Sequence, residues 1–147
     1  MKSVVEVDIN APQQKVAELH ADPRNNPKWM HDIARYESVS GEVGMPGSKY
    51  HLVPKTGDMI FLATVIECNL PNELKLHLEA EDVSVEVTAK FIAISSRKTK
   101  LVSEQVFTFK GRGSESVDLE IENAIKTAHH NHMEGFKLFA ESIKYQD

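Results

Sequence analysis

The sequence predicts an α+β domain, in which a curved seven-stranded antiparallel sheet carries two short helices after its first strand and one long C-terminal helix packed across it. Three observations predict this. Strand-like segments follow one another from Ile33 to Lys110 with only short turns between them. The stretch before them reads strand, helix, helix, and Ser116 to Tyr145 reads as a single amphipathic helix.

Each element has its own signal. Val5, Val7 and Ile9 alternate with Val4, Glu6 and Asp8, the period-two pattern of a strand with one apolar face. Asn10 offers a helix cap with Pro12 in the first turn and Gln13 in the capping-box position, and Val16, Ala17, Leu19 and His20 follow at helical spacing. Asp22-Pro23 ends that helix; Asn26 then offers a second cap, with Pro27 opening a short helical turn through Trp29. Candidate strands are Ile33 to Ser40, Ser48 to Val53, Met59 to Cys68, Glu73 to Ala80, Val83 to Ile94 and Lys100 to Lys110. The turns between them carry Gly44-Met45-Pro46-Gly47, Pro54 to Asp58, Leu70-Pro71-Asn72, Glu81-Asp82 and Ser95 to Lys98. With connections this short, neighbouring strands pair antiparallel.

The closing helix must cover the dry face of that sheet. At 1.5 Å per residue, about 28 residues reach roughly 40 Å, enough to cross it. Ile121, Ile125, Ala128, Phe136, Phe139 and Ile143 fall within about 40° of one line, with His132 at its centre. His129 is expected on the flank, in solvent, and the helix start is expected nearer Leu119 than Ser116, because Val117, Leu119 and Ile121 also alternate with period two. Glu115, Asp118, Glu120 and Glu122 suit the positive end of the helix dipole. Gly135 permits close approach to the sheet or weakens the helix.

Composition bounds the function. At 147 residues, 41% hydrophobic and 27% charged, the chain suits one domain, residues 1–147, with a sizeable core. A net charge of -5 without a long basic block argues against nucleic acid and anionic membrane surfaces as partners. The first residues lack the apolar stretch of a secretory signal and no run is long enough to span a bilayer, so a cytoplasmic protein without stable membrane insertion is expected. The single cysteine, Cys68, is read as core. No phosphate-cradling glycine loop or nucleophile elbow is present, so no cofactor is expected.

Over essentially the whole chain, the order of elements resembles the helix-grip fold of the START-like, polyketide cyclase/dehydrase (SRPBCC) superfamily. The residues that carry the resemblance are Val7-Asp8-Ile9-Asn10-Ala11-Pro12 with Val16, then Asp22-Pro23 with Pro27 and Trp29, Gly44 to Tyr50 leading into a strand, and the terminal helix. The resemblance implies a deep apolar cavity between sheet and helix, which in relatives holds lipids, steroids, polyketides or other hydrophobic small molecules. It brings no shared catalytic signature.

The candidate site follows from both readings. His132, on the dry helix face, needs a partner: a strand side chain, a ligand, or a reacting group for which it acts as acid/base. On the last strand, Leu101, Ser103, Gln105, Phe107 and Phe109 form the better inward face, which leaves Glu104 in solvent; the reverse register would bury Glu104 beside a histidine. Trp29 stands where the resemblance places the cavity mouth, and Tyr50, Phe61, Phe91, Phe107 and Phe136 are the aromatic lining candidates. His129 and His132 lie at i, i+3, but nothing supplies the other ligands that zinc requires, so no metal is expected. The expected function is binding or carriage of a hydrophobic small molecule. The alternatives are a cofactor-independent cyclase or dehydratase using His132, oriented by Ser103 or Gln105, and a protein-interaction module hinted at by Leu138 on the outer helix face. Oligomeric state is open.

Overall fold

A computed structural model describes residues 1–56, 59–111 and 118–144. Seven strands form one antiparallel sheet: β1 (Lys2–Ile9), β2 (Ile33–Ser40), β3 (Lys49–Pro54), β4 (Phe61–Asn69), β5 (Glu73–Glu79), β6 (Val83–Ser95) and β7 (Lys98–Phe109). The helices are α1 (Gln13–Ala21), α2 (Asn26–Trp29) and α3 (Leu119–Ser142), with a 3-10 turn at Pro23–Asn25 before α2. This is the α+β arrangement that the strand and helix signals predict. Ser116, Val117, Glu115, Tyr145 and the Gly57-Asp58 turn lie outside the described residues.

The strand order is β1-β7-β6-β5-β4-β3-β2, so β1 and β2 form opposite edges. The chain leaves β1, crosses through α1 and α2 to the far edge, and meanders back until β7 pairs with β1. Register irregularities between Val65 and Glu67 and between Ala93 and Ser95 bend the longer strands, and bulges of this kind raise local twist. At the β2–β3 connection Gly41 takes φ +80°, and a Cβ there would stand 2.8 Å from the Ser48 Cα. Only glycine closes that turn without strain.

Two local expectations change. Asn10 does not cap α1: the N-cap position is Pro12, without a side-chain bond, and the Gln13 amide donates instead to the Phe91 carbonyl at 2.7 Å. Tying α1 to β6 outweighs a local capping box. Asn26 lies inside α2 and not before it, and its side chain bonds the Tyr50 phenol.

The core lies between the concave sheet face and α1 and α3. Ile9, Val16, Ala17, Phe91, Leu101, Phe136 and Ala140 are fully buried there, and Cys68 packs partly buried against the same cluster. A second, smaller cluster of Ala80, Val83, Val85 and Val87 gathers Phe61, Phe107 and Phe109 farther along the inner face. Asp118 caps α3, its carboxylate accepting from the Ile121 N–H at 2.9 Å. At the other end Lys137 donates to the Asp8 carbonyl at 2.6 Å and Glu141 accepts from the Asn10 N–H at 2.8 Å, which pins the helix to the end of β1. Among the described residues, no helix is long and apolar enough to cross a membrane.

The α3 stripe is rotated from the expected one. His129, Met133, Phe136 and Ala140 are the buried line, together with Gly135, whereas Ile121 is 36% exposed and Ala128 is also exposed. At 100° per residue, that line lies roughly 70° from one centred on His132. The first turns of α3 carry apolar side chains that the sheet does not cover, and they pull a sequence-derived stripe toward themselves.

Candidate ligand cavity

A cavity of about 60 Å³ lies between the concave sheet and α1, α2 and α3. Its floor is apolar: Leu52 of β3, Leu74, Leu76 and Leu78 of β5, and Val87 of β6. Alternation along β5 turns its leucines inward and its Lys75, His77 and Glu79 outward. Ser103 and Gln105 enter from β7, with Glu104 on the opposite face pairing with Lys2 at 3.3 Å. The helical wall supplies His20, Trp29, Met30, His132 and Met133, and Asn26 and Tyr50 complete the ring.

Of the candidates named from sequence, the cavity therefore gathers Trp29, Tyr50, Ser103, Gln105 and His132. Phe91 and Phe136 do not line it; both are locked in the core with their rings against His20, at centroid distances of 5.4 and 5.0 Å. Phe61 and Phe107 belong to the second cluster. Aromatic rings on the inner faces pack against one another before they face open space.

Two histidines of α3 depart from what the sequence predicts. His129, expected in solvent, is 1% exposed: its Nδ1 meets the Ser3 Oγ at 2.8 Å and its Nε2 meets the Ser103 Oγ at 2.9 Å. Burial, with the neighbouring His132 and His130, lowers its pKa to about 4, so it is neutral at physiological pH. A serine hydroxyl both donates and accepts, so either tautomer of the ring is satisfied. His132 meets neither Ser103 nor Gln105. Its Nε2 lies 2.7 Å from the Asp32 Oδ1 at the cavity rim, with the ring edge-on to Trp29.

His20 is the group that the sequence reading left in the background. It sits one turn beyond Val16 on the buried face of α1, enclosed by Trp29, Phe91 and Phe136. Burial pushes its pKa down to about 4. Both ring nitrogens lack a hydrogen-bond partner among the described residues, as does the Trp29 Nε1. Each unpaired buried polar atom costs on the order of 1–3 kcal/mol. Apart from the half-buried Gln105, the other polar groups of the wall are engaged: Tyr50 with Asn26, Ser103 with His129, and His132 with Asp32.

Gly135 explains how the rim closes. A Cβ on it would stand 2.5 Å from the Trp29 carbonyl oxygen, so the glycine lets α3 approach α2 and not the sheet. Trp29 is thereby held over the cavity.

No protein-family model and no curated protein matches the sequence. Solved structures match closely in shape. A START superfamily protein from Mycobacterium smegmatis superposes with a TM-score of 0.73 over 96% of this chain and 94% of its own, at 14% identity. The Zhui aromatase/cyclase from a Streptomyces species gives 0.78 over 96% and 93%, at 13% identity. The chain has a START-like, helix-grip fold. A third structure, Ara h 8.0201, gives a TM-score of 0.75 over 97% of this chain and 99% of its own, at 18% identity. At these identities the likeness shows the helix-grip fold alone, and the chemistry has to be argued from the cavity.

Proposed function

We propose that this protein binds a hydrophobic small molecule in the cavity between the concave sheet and α3. The observation that carries the reading is an apolar chamber lined by His20 and Trp29, whose three buried ring nitrogens are without partners among the described residues. Natural cores seldom leave such atoms unpaired unless something else meets them. The likeness to a START superfamily protein and to an aromatase/cyclase supports the same reading.

The size of the chamber sharpens it. Ligand pockets for drug-sized molecules run about 300–1,000 Å³, whereas about 60 Å³ is room for roughly two waters. A lipid-, steroid- or polyketide-like guest therefore enters only if the rim opens. Trp29, Met30 and Met133 belong to the helical wall that would have to move, and methionine side chains repack readily. Native mass spectrometry of the protein as purified is expected to show a co-purifying apolar species, or to show one after incubation with a hydrophobic library. A consistently empty protein, indifferent to every hydrophobic probe, would contradict the proposal.

One observation favours a second reading, acid/base catalysis on a bound molecule by a cofactor-independent cyclase or dehydratase. The Asp32 carboxylate oxygen lies 2.7 Å from the His132 Nε2 at the cavity rim and orients the ring, the arrangement that a general acid/base uses. Under that reading His132→Gln abolishes turnover of a bound substrate while retaining its binding; unchanged turnover would remove it.

A further inference from the structure

We propose that the cavity selects an uncharged ligand bearing a hydroxyl group, which the Trp29 indole N–H and the His20 imidazole bind together at the α1–α2 end. This rests on the small-molecule reading and specifies the ligand class. Three observations carry it.

First, the unpartnered polar atoms are concentrated at one place. The rings of His20 and Trp29 lie 5.4 Å apart, tilted by 34°, and both line the cavity. The other polar wall groups already have protein partners, except the half-buried Gln105 of β7.

Second, the hydrogen-bonding capacities are complementary to a hydroxyl. An indole N–H only donates; a neutral imidazole carries one bare nitrogen that accepts and one N–H that donates. A hydroxyl oxygen accepts from Trp29 while its proton goes to the bare nitrogen of His20. A ketone or ether can only accept and leaves that nitrogen unpaired. An alkane leaves all three atoms as they are.

Third, the wall carries no acidic and no strongly basic side chain. Among its lining residues there is no lysine, arginine, aspartate or glutamate, and His20 stays neutral because three aromatic rings enclose it. A carboxylate moved into this chamber loses its hydration without gaining a counter-charge. The cavity therefore discriminates by charge as well as by hydrogen bonding.

The test is isothermal titration of three probes of one skeleton at pH 7.5: 2-naphthol, 2-methylnaphthalene and 2-naphthoate. 2-Naphthol is expected to bind at least tenfold tighter than either of the others. In His20→Phe and in Trp29→Phe, the naphthol-to-methylnaphthalene ratio is expected to fall below threefold. The ratio is the readout, so a general weakening of binding does not mimic the effect. If 2-methylnaphthalene or 2-naphthoate binds wild-type protein as tightly as 2-naphthol, or if both variants keep the tenfold preference, the hydroxyl selectivity is wrong while the small-molecule reading stands. If none of the probes binds, the hydroxyl selectivity is overturned, and the small-molecule reading falls with it when the hydrophobic library also finds no ligand.

Discussion

Two buried neutral histidines, one lining the cavity and one at the seam between helix and sheet, have opposite surroundings. His129 bridges α3 to β1 and β7 through Ser3 and Ser103, and both ring nitrogens are satisfied. His20, on α1, is also buried, yet neither nitrogen has a partner among the described residues. Burial lowers the pKa of both to about 4. The difference teaches how to separate structure from site in a fold without a catalytic signature: the satisfied ring is a rivet between helix and sheet, and the unsatisfied ring is what the fold leaves for a guest.

The largest expected effect breaks the rivet. His129→Leu leaves two serine hydroxyls unpaired at the helix–sheet seam and is expected to cost about 2–4 kcal/mol, read as a lower denaturation midpoint in urea. The pH dependence tests both rings at once. Each takes up its proton near pH 4 in the fold but near 6.5 when unfolded, so the unfolded chain binds more protons between those values. Stability is then full above about pH 6.5 and falls as the pH drops toward 4, with His20 alone contributing about 3 kcal/mol of that loss. The measurement is urea unfolding from pH 7.5 to 4, and a flat profile would place both rings in solvent.

Smaller effects sharpen the contrast. Gly135→Ala drives a methyl into the Trp29 carbonyl and is expected to cost about 1–3 kcal/mol in the same unfolding assay, with the Trp29 fluorescence shifting as α2 is pushed away. His20→Leu should run opposite in sign to His129→Leu. Removing an unsatisfied polar ring leaves stability unchanged or raises it by up to about 1 kcal/mol, a gain of roughly 2–4 °C in Tm. Substituting the same residue type by the same leucine then gives opposite signs at two buried positions.

How much of this the sequence disclosed depends on the interaction concerned. Alternation on β5, β6 and β7 is local and strong, so Ser103 and Gln105 read as the better inward face of β7, while the reverse register, with Glu104 buried, stayed open until the cavity placed Ser103 and Gln105 in its wall. The short helix around Trp29 was readable from Pro27, but its place at the cavity came only from the family resemblance. The rotation of α3 was not readable, because Ile121 and Ala128 belong to the apolar pattern without being buried. That error exchanged His129 with His132. Nor was the state of His20 readable: its spacing from Val16 predicts burial, but whether a buried ring has a partner depends on side chains distant in the chain. Cavity volume is likewise a packing outcome, fixed by how Met30, Met133 and the leucines of β5 interlock.

The most direct test of the account is a side-chain nitrogen–proton NMR spectrum recorded with and without saturating 2-naphthol. Trp29 is the only tryptophan, so its indole N–H is a single resonance, and His20→Phe and His129→Leu assign the two imidazoles. The account predicts that the Trp29 and His20 nitrogens shift on binding while those of His129 stay in place. Shifts at His129 with His20 and Trp29 unmoved, or no shift at any of the three, would contradict it.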